Sequence, residues 1–463
     1  MSARSAVGTS GRTVVAGQKT AGQEAANQEA ANQEAADREA ANQEAADRKA
    51  AKHEQLQLAG AYLSRVAEPA SVPLWMFVQR HGYLTAAAAI RAGDVPAEVA
   101  SCTEARRTAA DPEADLAAAQ RNGIRLLTPA DEDWPHFAFA ALQATARRRV
   151  AQWQAGLRAR PERGELIPPL ALWVRGAGEL STVGFRSVAV VGSRAATAYG
   201  EHIASEFSYG LAQRGVVVVS GGAYGIDAAA HRGALAAGGC SVLVSAGGLD
   251  RPYPSGHRHL YDRTAEQGLL VSERPPGSAP HRQRFLSRNR LIAALGAATL
   301  VVEAAHRSGA LNSAGYARDL GRPVLAVPGP VTSAMSAGCH RLIQRDEEPA
   351  RLVTSVAEVL AYCGSAEVEM DAGGPTAGRP AAAGGPAAAG GPAAWQHAYD
   401  SLDVVARSVL DGFPGRRRSV TEAELSRLSG QPISQVIAAL PVLQGLGLIT
   451  AAREGYRLAS VAS

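Results

Sequence analysis

The chain reads as a doubly wound α/β protein, a mostly parallel Rossmann-like sheet with an N-terminal helical domain and a C-terminal winged-helix-like domain. Three observations predict this. Six short Val/Leu-rich runs recur, at Val188 to Val191, Val216 to Val219, Ser241 to Val244, Leu269 to Val271, Thr299 to Val302 and Pro323 to Val327. Runs of that length without polar alternation belong to strands buried on both faces, the condition of a parallel sheet. Helix-length amphipathic stretches separate the runs and glycines punctuate their ends, the texture of repeated βαβ units.

With 463 residues the chain is too long for one ordinary core. Residues 1–54 form a low-complexity leader. From Gln23 to Glu54 a five-residue unit, Glu-Ala-Ala-Asn-Gln drifting to Glu-Ala-Ala-Asp-Arg, repeats without a large apolar side chain, so it has no face to bury. Residues 55–165 read as a helical lead-in domain, with Tyr62, Leu63, Val66, Trp75 and Val78 at helical spacing, and Gly123 to Leu127 as a short strand before the turn at Asp133-Trp134-Pro135. The Rossmann-like domain spans 166–365. A Gly/Pro/Ala linker at 366–395 leads to a winged-helix-like domain at 396–463, with helices at Leu402 to Leu410, Thr421 to Leu428 and Ser434 to Gln444 and strands at Leu448 to Thr450 and Gly455 to Leu458. Thr421 and Glu424 have capping-box spacing.

The net charge of +4 is too small to signal nucleic acid unless it is concentrated. Cys102, Cys240, Cys339 and Cys363 are far apart and form no C-x-x-C pair, which predicts neither a zinc site nor a disulfide framework and fits a reducing cytoplasm. No charged-then-apolar leader and no run of about 18 apolar residues occurs. The expectation is a cytoplasmic protein with no membrane partner, no metal and no cofactor.

Gly192-Ser193-Arg194 follows the first strand of the sheet, where loop amides and a cation suit a phosphate. The string lacks the G-x-G-x-x-G dinucleotide pattern, and a tight turn with a surface arginine explains it equally well. The second strand ends in Ser220-Gly221-Gly222-Ala223-Tyr224-Gly225-Ile226-Asp227. Asp227 and His231, one helical turn apart, read as a brace for that glycine loop and a packed histidine, with acid–base chemistry the alternative. His281 to Arg290 then holds Arg282, Arg284, Arg288 and Arg290 with Phe285 and no acid. Arginines grip a phosphodiester backbone and an aromatic among them offers a base a stacking partner, which suits sequence-tolerant single-strand binding. The competing reading turns Phe285 into the core and pairs Arg288 or Arg290 with an internal acid such as Glu303. Glu303 itself is expected to orient an arginine or Asn289 rather than to act on substrate.

Taken in order, these strings resemble the DprA/Smf family of DNA-processing proteins. The resemblance is carried by Pro169 to Gly176, Val188 to Arg194, Ser220 to Asp227 with His231, Gly248-Leu249-Asp250 with Tyr253-Pro254, Ser272-Glu273, Phe285 with Arg288-Asn289-Arg290, Val302-Glu303-Ala304 with Ser308-Gly309, and Gly321 to Gly329. It implies an extended Rossmann fold that dimerises, binds single-stranded DNA in a basic pocket during natural transformation and loads the recombinase RecA, with no catalytic residue. Carried over by position, the pocket uses Gly192, Ser193, Arg194, Arg282, Phe285, Arg288 and Asn289; Gly221, Gly222, Gly225 and Arg284 complete the expected DNA-binding set. Asp227, His231, Arg290, Glu303, Ser308 and Gly309 support it. The chain departs from the family pattern at Leu286, at Gly338-Cys339-His340 and at Gln344-Arg345-Asp346.

Two other functions fit parts of the sequence. A Rossmann-type nucleoside-monophosphate hydrolase would need a Pro-Gly-Gly-x-Gly-Thr loop, and Ser245-Ala246-Gly247-Gly248 lacks it. A double-stranded DNA regulator would act through Arg416, Arg417 and Arg418 and the third helix of the C-terminal domain, but Ser434 to Gln444 has no Lys or Arg to reach base edges.

Overall fold

The computed structural model describes residues 38–39, 42–157, 166–363, 402, 404–413, 419–446, 448–452 and 455–459. The linker, Arg416 to Arg418 and most of the repeat leader lie outside the described residues. Two compact units divide the chain, Met1–Gln57 and Leu58–Ser463. In the first, 42–57 is helical and 42–55 is exposed throughout, as expected for an alanine-rich sequence with no large side chain to bury.

The second unit opens with helix α1 over 58–66, then α2 (Val72–His81), α3 (Tyr83–Ala92), α4 (Ala97–Thr103) and α5 (Pro112–Arg121). Tyr62, Leu63, Val66 and Val78 close a small core with Leu74 and Ile90, while Trp75 packs with Val150 and Ile167 in a second cluster. Pro112 stands in the first turn of α5 behind Asp111, whose carboxylate accepts from the Ala114 amide at 2.9 Å.

The sheet contains β1 (Ile124–Leu127), β2 (Leu172–Arg175), β3 (Ser187–Val191), β4 (Val217–Ser220), β5 (Ser241–Ser245), β6 (Leu269–Ser272), β7 (Ala298–Val301), β8 (Val324–Ala326) and β9 (Arg351–Leu352). Their order is β1-β2-β6-β5-β4-β3-β7-β8-β9. All pairs from β6 to β9 are parallel, while β2 runs antiparallel to β6 and to β1. One face is covered by α6 (His136–Gln154), α10 (Arg282–Leu295) and α11 (Ala310–Asp319), the other by α7 (Ala198–Ala212) and α8 (Ile226–Ala236). α9 (Arg258–Gln267) joins β5 to β6. The chain winds outward from β3 to β6, then crosses to β7 on the other side of β3. Strand order therefore reverses between β3 and β7, where loops diverge and open a crevice at the carboxyl ends of the strands.

The six runs became β3 to β8. The expected domain boundary at 165/166 does not match the sheet: β1 pairs with β2, and Ala138, Phe139 and Leu142 of α6 pack in the same core as Leu172, Val242 and Leu295. The sheet-bearing body thus begins near residue 124. At the C-terminal end, helices Val404–Asp411, Glu422–Ser429 and Ile433–Gly445 precede the hairpin β10 (Ile449–Ala452) and β11 (Gly455–Leu458). The Thr421/Glu424 capping box is present in both directions, and Gly430 ends its helix in the left-handed region.

Candidate nucleic-acid interface

A cleft of about 700 Å³ opens at the switch point. The loop after β3 lines it with Gly192, Ser193, Arg194 and Ala195. The start of α10 contributes Arg282, Phe285, Leu286, Arg288 and Asn289, and the loop after β7 contributes Arg307, Ser308 and Gly309. Tyr253, on the loop that leaves β5, closes the end near Phe285.

Close backbone packing explains the glycines. A Cβ on Gly192 would fall 2.3 Å from Ile226 Cγ1, and one on Gly225, whose φ is +74°, would fall 2.3 Å from the Ser193 carbonyl oxygen. The Ile226 amide donates to that same carbonyl at 3.2 Å, so the two glycine loops lock together. Gly221, Gly222 and Gly225 are consequently packing positions. The sequence placed them against DNA, but the space a side chain would take at Gly221 holds Arg288 and Asp227, and at Gly222 it holds Tyr261.

The loop after β3 is also less open to phosphate than its sequence suggests. The Ser193 amide donates to the Glu303 carbonyl at 2.8 Å. The Glu303 carboxylate, 1% exposed, accepts from the Thr197 amide at 2.9 Å and from its hydroxyl at 2.6 Å. An internal carboxylate thus occupies the positive end of α7, where a bound phosphate would otherwise sit. Glu303 was expected to orient an arginine or Asn289. Instead Asn289 Nδ2 reaches Asn312 at 3.4 Å, and Ser308 Oγ accepts from the Ala310 amide at 3.3 Å to begin α11 beside Gly309.

Burial sorts the four arginines of α10. Arg290 is fully buried and its two Nη atoms each donate to Glu273 at 2.6 Å, while Nε donates to the Ile167 carbonyl at 2.7 Å. The internal partner is Glu273, not Glu303. Arg284, expected to face DNA, is buried too: Nε and Nη2 donate to Glu68 at 2.8 and 2.7 Å and Nη1 to the Ala279 carbonyl at 2.6 Å. Glu68 also accepts from Arg106 at 2.5 Å, so this carboxylate ties the end of α1 to the base of α10. Burial would raise the Glu68 carboxyl, but hydrogen bonds from Arg284 and Arg106 and the charge of Arg274 hold it down to about 2. Arg288 is buried in the cleft floor and donates to the Val244 carbonyl. Only Arg282 keeps its guanidinium in solvent.

Arg194, also exposed, lies over the Phe285 ring with Cζ 4.8 Å from the centroid, and Tyr253 follows 5.5 Å from Phe285. Tyr253 is 48% exposed. It and Arg307 were missing from the sequence-derived set. Tyr253 stood inside a quoted motif without a role, and Arg307 is an isolated arginine whose position only the β7–α11 loop reveals. Beneath the stack, the Asp227 carboxylate accepts from the Ala223 amide at 3.4 Å. Burial, partly offset by Arg288, pushes its carboxyl up to about 6. His231 bridges Ser241 Oγ and the Gly221 carbonyl, both at 2.7 Å, and burial lowers it to about 4, so it is a neutral brace. Both residues touch the glycine loop, Asp227 at the Ala223 amide and His231 at the Gly221 carbonyl.

Fold and site together define a Rossmann-type protein with a cationic, aromatic-lined cleft at its topological switch point. Residues 161–364 match the family described as DNA recombination-mediator protein A. The chain is 46% identical over 393 residues to the putative DNA processing protein DprA of Mycobacterium tuberculosis strain H37Rv, covering 84% of this chain and 91% of that one. It is 44% identical over 184 residues to DNA processing protein DprA of Streptococcus pneumoniae strain R6, or 40% of this chain and 64% of the relative. The crystal structure of the Streptococcus pneumoniae DprA superposes with a TM-score of 0.52 at 29% identity, covering 67% of this chain and 99% of that chain. The chain belongs to the DprA/Smf family of DNA-processing proteins.

Proposed function

We propose that the cleft binds single-stranded DNA, with Arg194 and Arg282 on backbone phosphates and Phe285 and Tyr253 stacking on bases. The observation that carries this reading is the row Arg194–Phe285–Tyr253, a cation and two aromatics in contact in an open cleft. Every base has a π-face, so such a row is indifferent to sequence, and it suits a strand whose bases are unpaired. Asn289 and Ser193 shape the rim.

The protein acts by binding rather than by covalent chemistry. Support comes from the two acids at the cleft: Glu303 is fully engaged at α7, and Asp227 is buried against its loop, so neither presents a carboxylate to a glycosidic bond as a nucleotide hydrolase requires. A double-strand regulator is disfavoured because helix Ile433–Gly445 has no basic residue and exposes Ile433, Ile437 and Val442. The resemblance to the family supports the rest of the reading: a cytoplasmic homodimer that protects incoming strands in transformation and delivers them to RecA. Among the described residues no helix is long and apolar enough to cross a membrane.

Titration of oligo-dT with Arg194→Ala and Arg282→Ala, followed by fluorescence anisotropy over a salt series, tests the groove. Each change should weaken binding and reduce the log–log salt slope by about 0.7, the share of one released counterion on a single strand. Wild-type affinity and slope in both variants would exclude this cleft as the DNA site.

A further inference from the structure

We infer that Arg307 is a third phosphate contact, and that the bound strand lies across the carboxyl ends of β5, β4, β3 and β7, from Tyr253 at one end to Arg307 at the other. This rests on the single-strand reading of the cleft. Arg307 lines the cleft from the loop after β7 and is exposed. Among the described residues it has no ion-pair or hydrogen-bond partner, a state it shares with Arg282. The other cations near the cleft differ: Arg284 and Arg290 are spent on Glu68 and Glu273, and Arg288 is buried under the floor. Three solvent-facing guanidinium groups therefore remain on the walls, from the loop after β3, the start of α10 and the loop after β7.

Sheet order sets their arrangement. Tyr253 stands on the loop leaving β5, Ala223 and Asp227 follow β4, Arg194 follows β3 and Arg307 follows β7. β5 and β7 are three strand spacings apart in the sheet, about 14 Å at about 4.8 Å each. A nucleotide monophosphate stacked on Tyr253, at the β5 end, is three strand spacings from the loop that carries Arg307. A strand of several phosphates reaches it. The cleft is thus polar along its length, with aromatic contacts at the β5 end and an unopposed cation at the β7 end, and Arg307 makes it a site for polynucleotide over mononucleotide.

The test compares full-length wild type, Arg307→Ala, Arg307→Lys and Arg194→Ala in anisotropy titrations with dT2, dT4, dT8 and dT16 at several salt concentrations. Arg307→Ala should match wild type on dT2, lose on the order of two- to fivefold on dT8 and dT16, as for one exposed ion pair, and show a salt slope smaller by about 0.7 on the longer strands only. Arg307→Lys should restore the slope. The inference is overturned if Arg307→Ala follows wild type at every length while Arg194→Ala is weakened, or if it loses equally on dT2 and dT16. Failure of the underlying reading looks different: wild type would bind no oligo-dT, or Arg194→Ala would be silent.

Discussion

Four arginines within nine positions of one helix meet different fates, and burial decides among them. A guanidinium carries its charge into the interior only when carboxylates and carbonyls replace its water, which is the situation of Arg290 and Arg284. Arg282 has no such partners and stays in water, where it can exchange counterions for phosphate. The same physics acts on Asp227 in reverse. Its ordinary pKa of 3.8 rises to about 6 in the folded protein, so the native state favours the neutral acid. The associated stability is complete below about pH 3.8 and is lost as pH rises through about 6. Above that pH Asp227 also places a negative charge in the cleft floor, beneath the strand proposed to bind there. Affinity for oligo-dT should fall between pH 5 and pH 7 by roughly fivefold, the effect of about 1 kcal/mol from one charge near a phosphate in water. The share of the Asp227 carboxyl is the difference between wild type and Asp227→Asn. Identical pH profiles for the two proteins would refute it.

At the scale of the element, α10 works because its two faces do unrelated tasks. Arg282, Phe285, Leu286 and Asn289 recur at i, i+3, i+4 and i+7 and line the cleft; Arg284, Arg288, Leu291 and Leu295 form the buried face. Leu286, one of the departures from the family pattern, is 43% exposed on the open face. The helix is anchored at its base by Glu68 and in its middle by Glu273. Removing the Arg290 partner strands Glu273, 9% exposed, as a buried charge. Arg290→Leu should therefore lower stability by about 3–5 kcal/mol, whereas Arg282→Ala should stay within about 0.5 kcal/mol of wild type. Urea unfolding followed by circular dichroism distinguishes them, and equal midpoints would show that the Arg290–Glu273 pair contributes nothing.

For the molecule as a whole, the sheet extends further back along the chain than its parallel core. β1 adds to the edge through β2, and α6 covers part of the same core as α10 and α11. A fragment of 166–365 leaves Leu172, Val242 and Leu295 without Phe139 and Leu142, so it should unfold at a distinctly lower temperature than a fragment of 58–363. Equal thermal midpoints would restore the boundary at 165/166. β2 escaped the sequence reading because Leu172–Arg175 follows a proline-rich entry and runs antiparallel at the flank, and β9 because two exposed residues carry no periodicity. β3 to β8 were legible because a strand buried on both faces must be apolar at every position.

The sequence by itself determined the layered α/β class, the glycine-marked strand ends at which the cleft opens, the capped helices of the C-terminal domain and the concentration of charge in α10. These depend on neighbours along the chain, through periodicity, turn chemistry and local composition. Tertiary structure alone decided which arginines face water, that Glu303 fills the end of α7, that the second glycine loop serves packing, and that Tyr253 and Arg307 join the cleft. Each of those outcomes is set by a partner distant in sequence: Glu68 for Arg284, Glu273 for Arg290, Thr197 for Glu303. Whether a charge is spent on the fold or left for a ligand depends on what the fold brings beside it.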